Sequence, residues 1–235
     1  MILRAENISK KYMRKTRESN FFYAVKQAEL SLEPGKITEI IGRSGSGKTT
    51  LLNMLAGLLA PSEGKVYLDD QDLYALSDKE LSRLRNRTIG VVPQGQTGLD
   101  SLTVLENVML PRLLYEKDPD CSKKAWTLLE KMHIKEIADA WPRELSGGEL
   151  RRLAIARAMI TEPCVILADE PTGDLDDENT AAVLALFKEI AEEGTAVLMV
   201  THEAGARQYA DYIYRMDGGS LSQVSGEARI EDIGK

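Results

Sequence analysis

The chain has 235 residues, of which 43% are hydrophobic, and it carries a formal net charge of −7. This length buries a sizeable core, and we expect one α/β folding unit with an inserted subdomain. The acidic balance disfavours nucleic acid or an anionic membrane surface as the main partner, and the only cysteines, Cys121 and Cys164, indicate neither a disulfide framework nor a metal cluster.

The first part of the chain, residues 1–41, alternates β-like runs with turns. Arg4 lies where a secretory signal would have its apolar segment, and no stretch reaches the length of a membrane span, so we expect a cytoplasmic chain. Between Tyr12 and Val25, a basic and then aromatic stretch is typical of a hairpin loop. Tyr12 is a candidate platform for an adenine ring, because a π-face provides affinity with little base selectivity; an aromatic packed at a strand end explains it equally well.

A phosphate-binding pattern of glycines followed by Lys and Thr occupies Gly42-Arg43-Ser44-Gly45-Ser46-Gly47-Lys48-Thr49. It lies between an apolar β-like run, residues 37–41, and a helical pattern, as such a loop requires. The glycines let successive N–H groups point at phosphate oxygens, at the positive end of the following helix. Lys48 would reach the β- and γ-phosphates, the Thr49 hydroxyl would bind Mg²⁺, and Thr50 would stand beside the phosphates. The segment therefore predicts a nucleoside triphosphate site.

The strand that leads into this loop contains an unexpected acid, Glu39. A central parallel strand is buried on both faces, where an unpaired carboxylate is costly. We therefore expect a basic or hydrogen-bond-donating partner within contact range of Glu39.

A second buried strand, residues 89–92, is followed by Pro93 and Gln94. Gln94 would lie at the carboxyl end of that strand, where open α/β sheets place their ligand contacts. From about residue 95 to residue 161 helical periodicity replaces the β-like runs. The sequence thus predicts an inserted helical subdomain, residues 95–161, between two parts of a core, residues 1–94 and 162–235.

A strongly helical segment near the end of the insertion opens with Leu145-Ser146-Gly147-Gly148-Glu149. Free N–H groups and the helix dipole favour a phosphate at such a start, which predicts a second anion site. Ser146 also reads as an N-cap, with Glu149 completing a capping box. Capping explains the serine and the glutamate but not the two consecutive glycines.

Two further apolar strands end on polar residues that suit phosphate chemistry. The first ends on Asp169 and Glu170; an aspartate there can hold Mg²⁺, and a second carboxylate can orient or deprotonate an attacking water. Adjacent residues on a strand point to opposite sides, so these carboxylates can have different roles. The second strand ends on Thr201 and His202, and we expect His202 at the γ-phosphate.

These motifs, in this order and over nearly the whole length, resemble the nucleotide-binding subunit of an ABC transporter. The resemblance implies a single ABC ATPase domain over residues 1–235, with ATP and Mg²⁺ as cofactors. It implies a P-loop NTPase (RecA-like) α/β core with a mixed, largely parallel sheet, an N-terminal antiparallel β part and an inserted α-helical subdomain. It also implies that Glu170 activates the water, that Lys48 and His202 stabilise the transferring phosphoryl group, and that Gln94 contacts the metal and senses the γ-phosphate.

Resemblance further implies that two copies bind head to tail, with ATP between the phosphate loop of one and the signature, residues 145–149, of the other. The segment Gly173-Asp174-Leu175-Asp176 is similar to the loop that crosses the dimer interface in this family, although Asp174 stands where Asn is commoner. Residues 102–108 and the motifs around Glu149 and Glu170 resemble the branch of macrolide exporters and of lipoprotein-release, bacitracin-resistance and cell-division ATPases.

Members of that branch work with an integral membrane permease, which implies a peripheral position on the inner face of the membrane. We expect the permease to dock in a groove bordered by Gln94 and residues 95–115, because the helical subdomain must move when the γ-phosphate is bound or lost. The alternative is a soluble ABC-type ATPase that acts on ribosomes or DNA; such chains usually carry paired cassettes or long coiled-coil insertions, which this sequence does not show.

Overall fold

A computed structural model describes residues 1–13, 21–95, 98–115 and 118–226. Within these residues, ten strands form one sheet; they are β1 (Leu3–Met13), β2 (Phe21–Leu32), β3 (Ile37–Ile41), β4 (Glu63–Leu68), β5 (Gln71–Asp72), β6 (Ile89–Val92), β7 (Val165–Asp169), β8 (Ala196–Val200), β9 (Tyr212–Asp217) and β10 (Ser220–Gly226). The α-helices are α1 (Lys48–Leu55), α2 (Asp78–Thr88), α3 (Val104–Leu113), α4 (Cys121–Lys131), α5 (Gly147–Met159) and α6 (Asp177–Glu192). None of the described helices combines the length and apolarity needed to cross a bilayer.

The sheet has the order β5-β4-β1-β2-β10-β9-β3-β8-β7-β6. Strands β9, β3, β8, β7 and β6 pair with one another in parallel, whereas β1, β2, β4 and β5 form an antiparallel part at the other end. Strand β10 joins the two parts, because it pairs antiparallel with β9 and parallel with β2. The predicted α/β class, with a largely parallel core sheet and an N-terminal antiparallel part, is therefore confirmed.

The three central strands β3, β8 and β7 are buried at every position. Such strands read as continuous apolar runs because helices cover both faces of a parallel sheet. Helix α1 packs in one buried cluster with the antiparallel strands, while residues of α3 to α6 pack in another. Because parallel strands all end at the same edge, the residues that follow β3, β7 and β8 meet there.

The chain between β6 and β7 contributes helices and no strand among its described residues. The buried amide of Asn107 fixes the start of this region: its Nδ2 donates to the carbonyls of Leu99, Leu102 and Thr103, and its Oδ1 accepts from the Leu99 amide. We propose residues 95–161 as the inserted subdomain.

Two expectations about individual segments are wrong. The aromatic residues Phe21 to Tyr23 do not form part of a hairpin loop, because they lie in β2 and pair with β1. Residues 14–20 lie outside the described residues. Glu39 is fully buried and neither carboxylate oxygen has a hydrogen-bond partner among the described residues. Burial raises the pKa of Glu39 to about 7, and the nearby Arg207, which makes no ion pair with it, only partly opposes this.

Candidate nucleotide site

The phosphate loop connects β3 to α1, and two of its glycines are required by packing. A Cβ on Gly47, whose φ is +110°, would lie 2.0 Å from the carbonyl oxygen of Ala24. A Cβ on Gly42 would lie 2.3 Å from the carbonyl oxygen of Met216. Gly45 has a φ of +76° and open space around it, which leaves its backbone free for close approach of a ligand. One side of the loop therefore packs closely against neighbouring backbone segments, and the other side is open.

Lys48 begins α1 and is buried. Its Nζ donates to the loop's own carbonyl oxygens, at 2.7 Å to Gly42 and 3.1 Å to Arg43. The ammonium thus lies inside the loop, with a third donor position left for an anion. Helix α1 has no side-chain N-cap and no acidic residue in its first turn, so its N–H groups and dipole also face an incoming phosphate without a competing anion.

Asp169 ends β7 beside the start of α1. Burial raises the pKa of Asp169, while the neighbouring Thr49 hydroxyl and the Lys48 charge act in the opposite direction. Its Oδ1 is buried without a hydrogen-bond partner among the described residues. An orphaned carboxylate oxygen beside a threonine hydroxyl suits a hydrated Mg²⁺, which prefers oxygen ligands and keeps several waters.

Glu170 lies between two residues from different parts of the chain. The Gln94 amide donates to Glu170 Oε2 at 3.0 Å, and His202 Nδ1 lies 3.5 Å from Oε1. Its side chain is 22% exposed and that of His202 61%. Glu170 also has a φ of +46°, a strained value for this residue type that is typical of functional positions. The structure therefore brings together Gln94, Glu170 and His202, which the sequence separates widely.

A cavity of about 320 Å³ joins the phosphate loop to this carboxylate. Two aromatic rings line it, Tyr12 and Phe22, stacked with centroids 5.7 Å apart. The remaining lining residues are Ala24, Ser44, Gly45, Gly47, Lys48, Thr49, Thr50, Gln94 and Glu170. Sequence reasoning missed Phe22; the cross-strand pairing of Tyr12 with Phe22 would have revealed it, had the aromatic run been assigned to a strand.

The signature residues 145–149 are not among the described residues that line this cavity. Ser146 caps α5, and Glu149 Oε2 accepts from both the backbone N–H and the hydroxyl of Ser146, at 2.7 Å each. These hydrogen bonds lower the pKa of Glu149. Packing explains one glycine, since a Cβ on Gly148 would lie 2.3 Å from Asn179 Oδ1 in α6, whereas Gly147 has ordinary space.

A contact that the sequence did not predict joins the signature helix to the Gln94 segment. The buried Arg151 in α5 donates from Nη1 to the carbonyl oxygen of Pro93 at 3.1 Å. Because Pro93 precedes Gln94, this hydrogen bond connects the Gln94 segment to the helix that carries the signature.

Comparison with known proteins is consistent with this geometry. The family model described as ABC transporter matches residues 25–173. A lipoprotein-releasing system ATP-binding protein LolD from Aquifex aeolicus is 44% identical over 96% of this chain and 97% of its own length. A LolD protein from Pseudomonas syringae pv. tomato is 42% identical over 83% of this chain and 87% of its own.

Solved structures are similar over the same range. A dimeric structure of MJ0796, described as a bacterial ABC transporter cassette, has a TM-score of 0.86 and 35% identity, covering 95% of this chain and 99% of that one. Another dimeric structure of MJ0796, a post-hydrolysis state bound to ADP and Pi, has a TM-score of 0.85 and 34% identity over the same shares. The chain therefore belongs to the ABC transporter family, and it is an ATP-binding ATPase of that family.

Proposed function

We propose that this chain is the motor subunit of a membrane complex, which closes as a head-to-tail dimer on two ATP molecules and opens after hydrolysis. One observation supports the catalytic part of the proposal. The Glu170 carboxylate lies between the Gln94 amide and the His202 ring, and it lines the same cavity as the phosphate loop. A carboxylate fixed by two polar neighbours beside a phosphate site is suited to orient and deprotonate a water.

The other residues of the site take complementary roles. Lys48 would exchange part of its hydrogen bonding to loop carbonyls for the β- and γ-phosphates, and His202 would donate to the γ-phosphate. Tyr12 would stack on the adenine. Thr49, Asp169 and Gln94 would hold Mg²⁺, which when bound neutralises phosphate charge.

In the proposed dimer, each ATP site receives its signature from the other copy. The signature lies outside the ATP cavity of its own chain, as far as the described residues show, while the start of α5 presents glycines at a helix N-terminus. The dimeric state of the MJ0796 cassettes supports a pairing in which Ser146, Gly147 and Gly148 of one copy face the phosphates held by the other.

The work that this motor performs is inferred from its relatives. The LolD proteins are named as the ATP-binding part of a lipoprotein-releasing system. We infer that the chain drives an integral membrane permease from the cytoplasmic face and that the cargo is a lipid-anchored protein.

The docking surface proposed for the permease is a groove between the core and the helical subdomain. It has a volume of about 250 Å³, and its lining includes Leu58 after α1, Asn86 in α2, Pro111 in α3 and Arg157 in α5. Of the border expected from the sequence, Gln94 and residues 95–115, only Pro111 is among the described residues that line it. Three leucines of segment 98–115 are exposed, namely Leu99 (43%), Leu113 (48%) and Leu114 (63%), and so is Tyr115 (45%). A groove next to exposed leucines suits a short helix of a membrane partner.

Replacing Glu170 by Gln tests the catalytic proposal. The change removes the base but keeps the shape, so ATP should still bind and the chain should elute as a dimer with ATP and as a monomer without it. Hydrolysis should fall by about 10²–10⁴-fold. Gel filtration and phosphate release measure both effects; a variant that stays monomeric with ATP, or that hydrolyses at the wild-type rate, would contradict the assigned role.

Charge at the exposed leucines tests the docking proposal. Leu114→Glu and Leu113→Glu should reduce co-purification with the permease without changing ATP affinity of the isolated chain, because a carboxylate cannot be buried against an apolar partner without cost. Val224→Glu, at an exposed apolar position on β10, is the matched control. Normal co-purification of the leucine variants would place the docking site elsewhere.

A further inference from the structure

A second cavity, distinct from the one between the phosphate loop and Glu170, is lined by Gly42 and Arg43 of the phosphate loop and by His202. Its volume is about 560 Å³, and its remaining lining comes from the end of β3, from Arg207 after β8 and from the end of β9. We call this the basic cavity. The charged or titratable residues that line it are Arg43, Arg207, Arg215, His202 and Asp217. Three arginines against one aspartate make it a site for negative charge.

These arginines have unused donors. None of the three forms an ion pair with a residue in the described part of the chain, and the buried Nε of Arg207 has no acceptor there. Glu39 lies near Arg207 but makes no ion pair with it, and its burial, which raises its pKa to about 7, limits the negative charge it can offer. A buried donor without an acceptor is costly, so an anionic group from outside this fold would be stabilised here.

The same chain carries an exposed acidic turn beside its signature. The turn connects β7 to α6 and contains Asp174 and Asp176, and Asp177 and Glu178 follow in the first turn of α6. Asp176 accepts from the Asn179 backbone and side chain and so caps α6. Asp174, with a φ of +63°, makes no hydrogen bond or ion pair with any described residue, although it lies near enough to Arg151 to favour that residue's charged form.

The turn and the signature are in contact within one chain. A Cβ on Gly147 would lie 3.5 Å from Leu175 Cδ2, and Arg152 Nη1 in α5 donates to Asn179 Oδ1 at 3.2 Å. In a head-to-tail dimer, the signature of one copy faces the phosphate loop of the other. The acidic turn must then lie beside that same loop, and the basic cavity is the flank of the loop that matches its charge.

We propose that in the ATP-bound dimer Asp174 of each copy enters the basic cavity of the other and pairs with Arg43 and Arg215 there. This inference rests on the proposed head-to-tail dimer and adds to it a charge pair between copies. It also gives Asp174 a reason to be acidic where relatives of the resembled branch more often carry Asn.

The test uses complementary charge reversals in the Glu170→Gln chain, whose ATP-dependent dimer is measured first. Asp174→Arg alone would place like charges together at both interfaces of the dimer, and so would Arg43→Glu alone. Each should weaken the ATP-dependent dimer at least about tenfold, since close interfacial charge pairs couple strongly. When the two variants are mixed, both interfaces of the mixed dimer are matched, so dimers with one chain of each kind should form almost as tightly as the parent.

Two controls protect this test. Arg215→Glu, on an exposed residue outside the phosphate loop, replaces Arg43→Glu if that change disturbs the loop, and it should also be rescued by mixing with Asp174→Arg. Glu189→Arg, twelve residues after the start of α6 and thus about 18 Å away along the helix, should neither weaken the dimer nor prefer a mixed partner.

The possible outcomes distinguish a failure of the proposed dimer from a failure of the charge pair alone. If the Glu170→Gln parent does not dimerise with ATP, the proposed dimer fails and the charge pair fails with it. If the parent dimerises but Asp174→Arg dimerises equally well, or if mixing restores nothing, the charge pair alone is wrong. Unchanged dimerisation of Asp174→Arg together with tighter binding of inorganic phosphate to wild type than to Arg43→Glu would show that the basic cavity takes a small anion instead.

Discussion

Helices α1 and α5 both begin at glycine-rich segments, but they treat their free N–H groups in opposite ways. Helix α1 starts from Gly47 without a side-chain cap, and a buried lysine lies in the loop before it. Helix α5 starts from Ser146, and its own Glu149 carboxylate already occupies the cap. The first start is open to phosphate within one chain, whereas in the proposed dimer the second would receive a phosphate only from another copy.

This difference has an energetic basis. An anion at an uncapped helix start gains the dipole and the free N–H groups at once. At α5 the Ser146 hydroxyl and amide are already satisfied by Glu149, so an incoming phosphate must compete with, or share, an existing charge-assisted hydrogen bond. ATP should therefore bind first at α1, and α5 should join only under the additional drive of dimer closure.

Among the variants that test the difference between the starts of α1 and α5, Ser146→Arg should have the largest effect. Bulk and charge at the α5 start should leave ATP binding to the monomer intact and reduce hydrolysis to the level of Glu170→Gln, whereas Lys48→Ala should lose ATP binding itself. Ser77→Arg is a matched control, because Ser77 caps α2 with the same box, accepting from Glu80 and donating to it. That control should cost about 1 kcal/mol of stability with turnover unchanged.

Phosphate release and equilibrium ATP binding distinguish these variants. The hydrolysis rate of the wild-type chain should also rise faster than linearly with protein concentration, since in the proposed dimer each site would need a signature from another copy. Wild-type turnover in Ser146→Arg would mean that α5 takes no part in the site.

Glu39→Gln should have a smaller effect, on stability and not on the signature. Glu39 lies in β3, the strand that leads into the loop before α1, and not at the start of α5. The buried carboxyl has a pKa of about 7, above that of an unfolded glutamate. The folded state therefore holds the proton more tightly, and its stability falls as pH rises from about 4.5 to 7. The variant should lack this fall, gaining about 1–3 kcal/mol relative to wild type at pH 8 compared with pH 5.

Urea denaturation at the two pH values measures the Glu39 effect. Ser146-dependent dimerisation should be the same in wild type and Glu39→Gln, because Glu39 lies in β3 and the signature lies at the start of α5. Parallel pH profiles for the two proteins would show that Glu39 is paired or hydrated in solution.

Local patterns were sufficient to predict the loop between β3 and α1, the α5 capping box and the buried strands β3, β7 and β8. These features depend on residues within one turn or one strand of each other. The Gln94, Glu170 and His202 cluster was predicted as separate strand ends, and parallel pairing of β6, β7 and β8 brings them together. The φ of Glu170, the Arg151 contact with Pro93 and the unpaired state of Glu39 depend on packing between distant segments, which periodicity does not encode.

Mixing two inactive chains tests the head-to-tail site most directly. Glu170→Gln lacks the base but keeps its signature, and Ser146→Arg keeps the base but lacks a working signature. In a mixed dimer, one of the two sites combines an intact Glu170 with an intact signature from the partner copy. We predict hydrolysis at least about tenfold above the sum of the two chains assayed separately, given a loss of 10²–10⁴-fold in each. Hydrolysis equal to that sum would contradict a site shared between two copies.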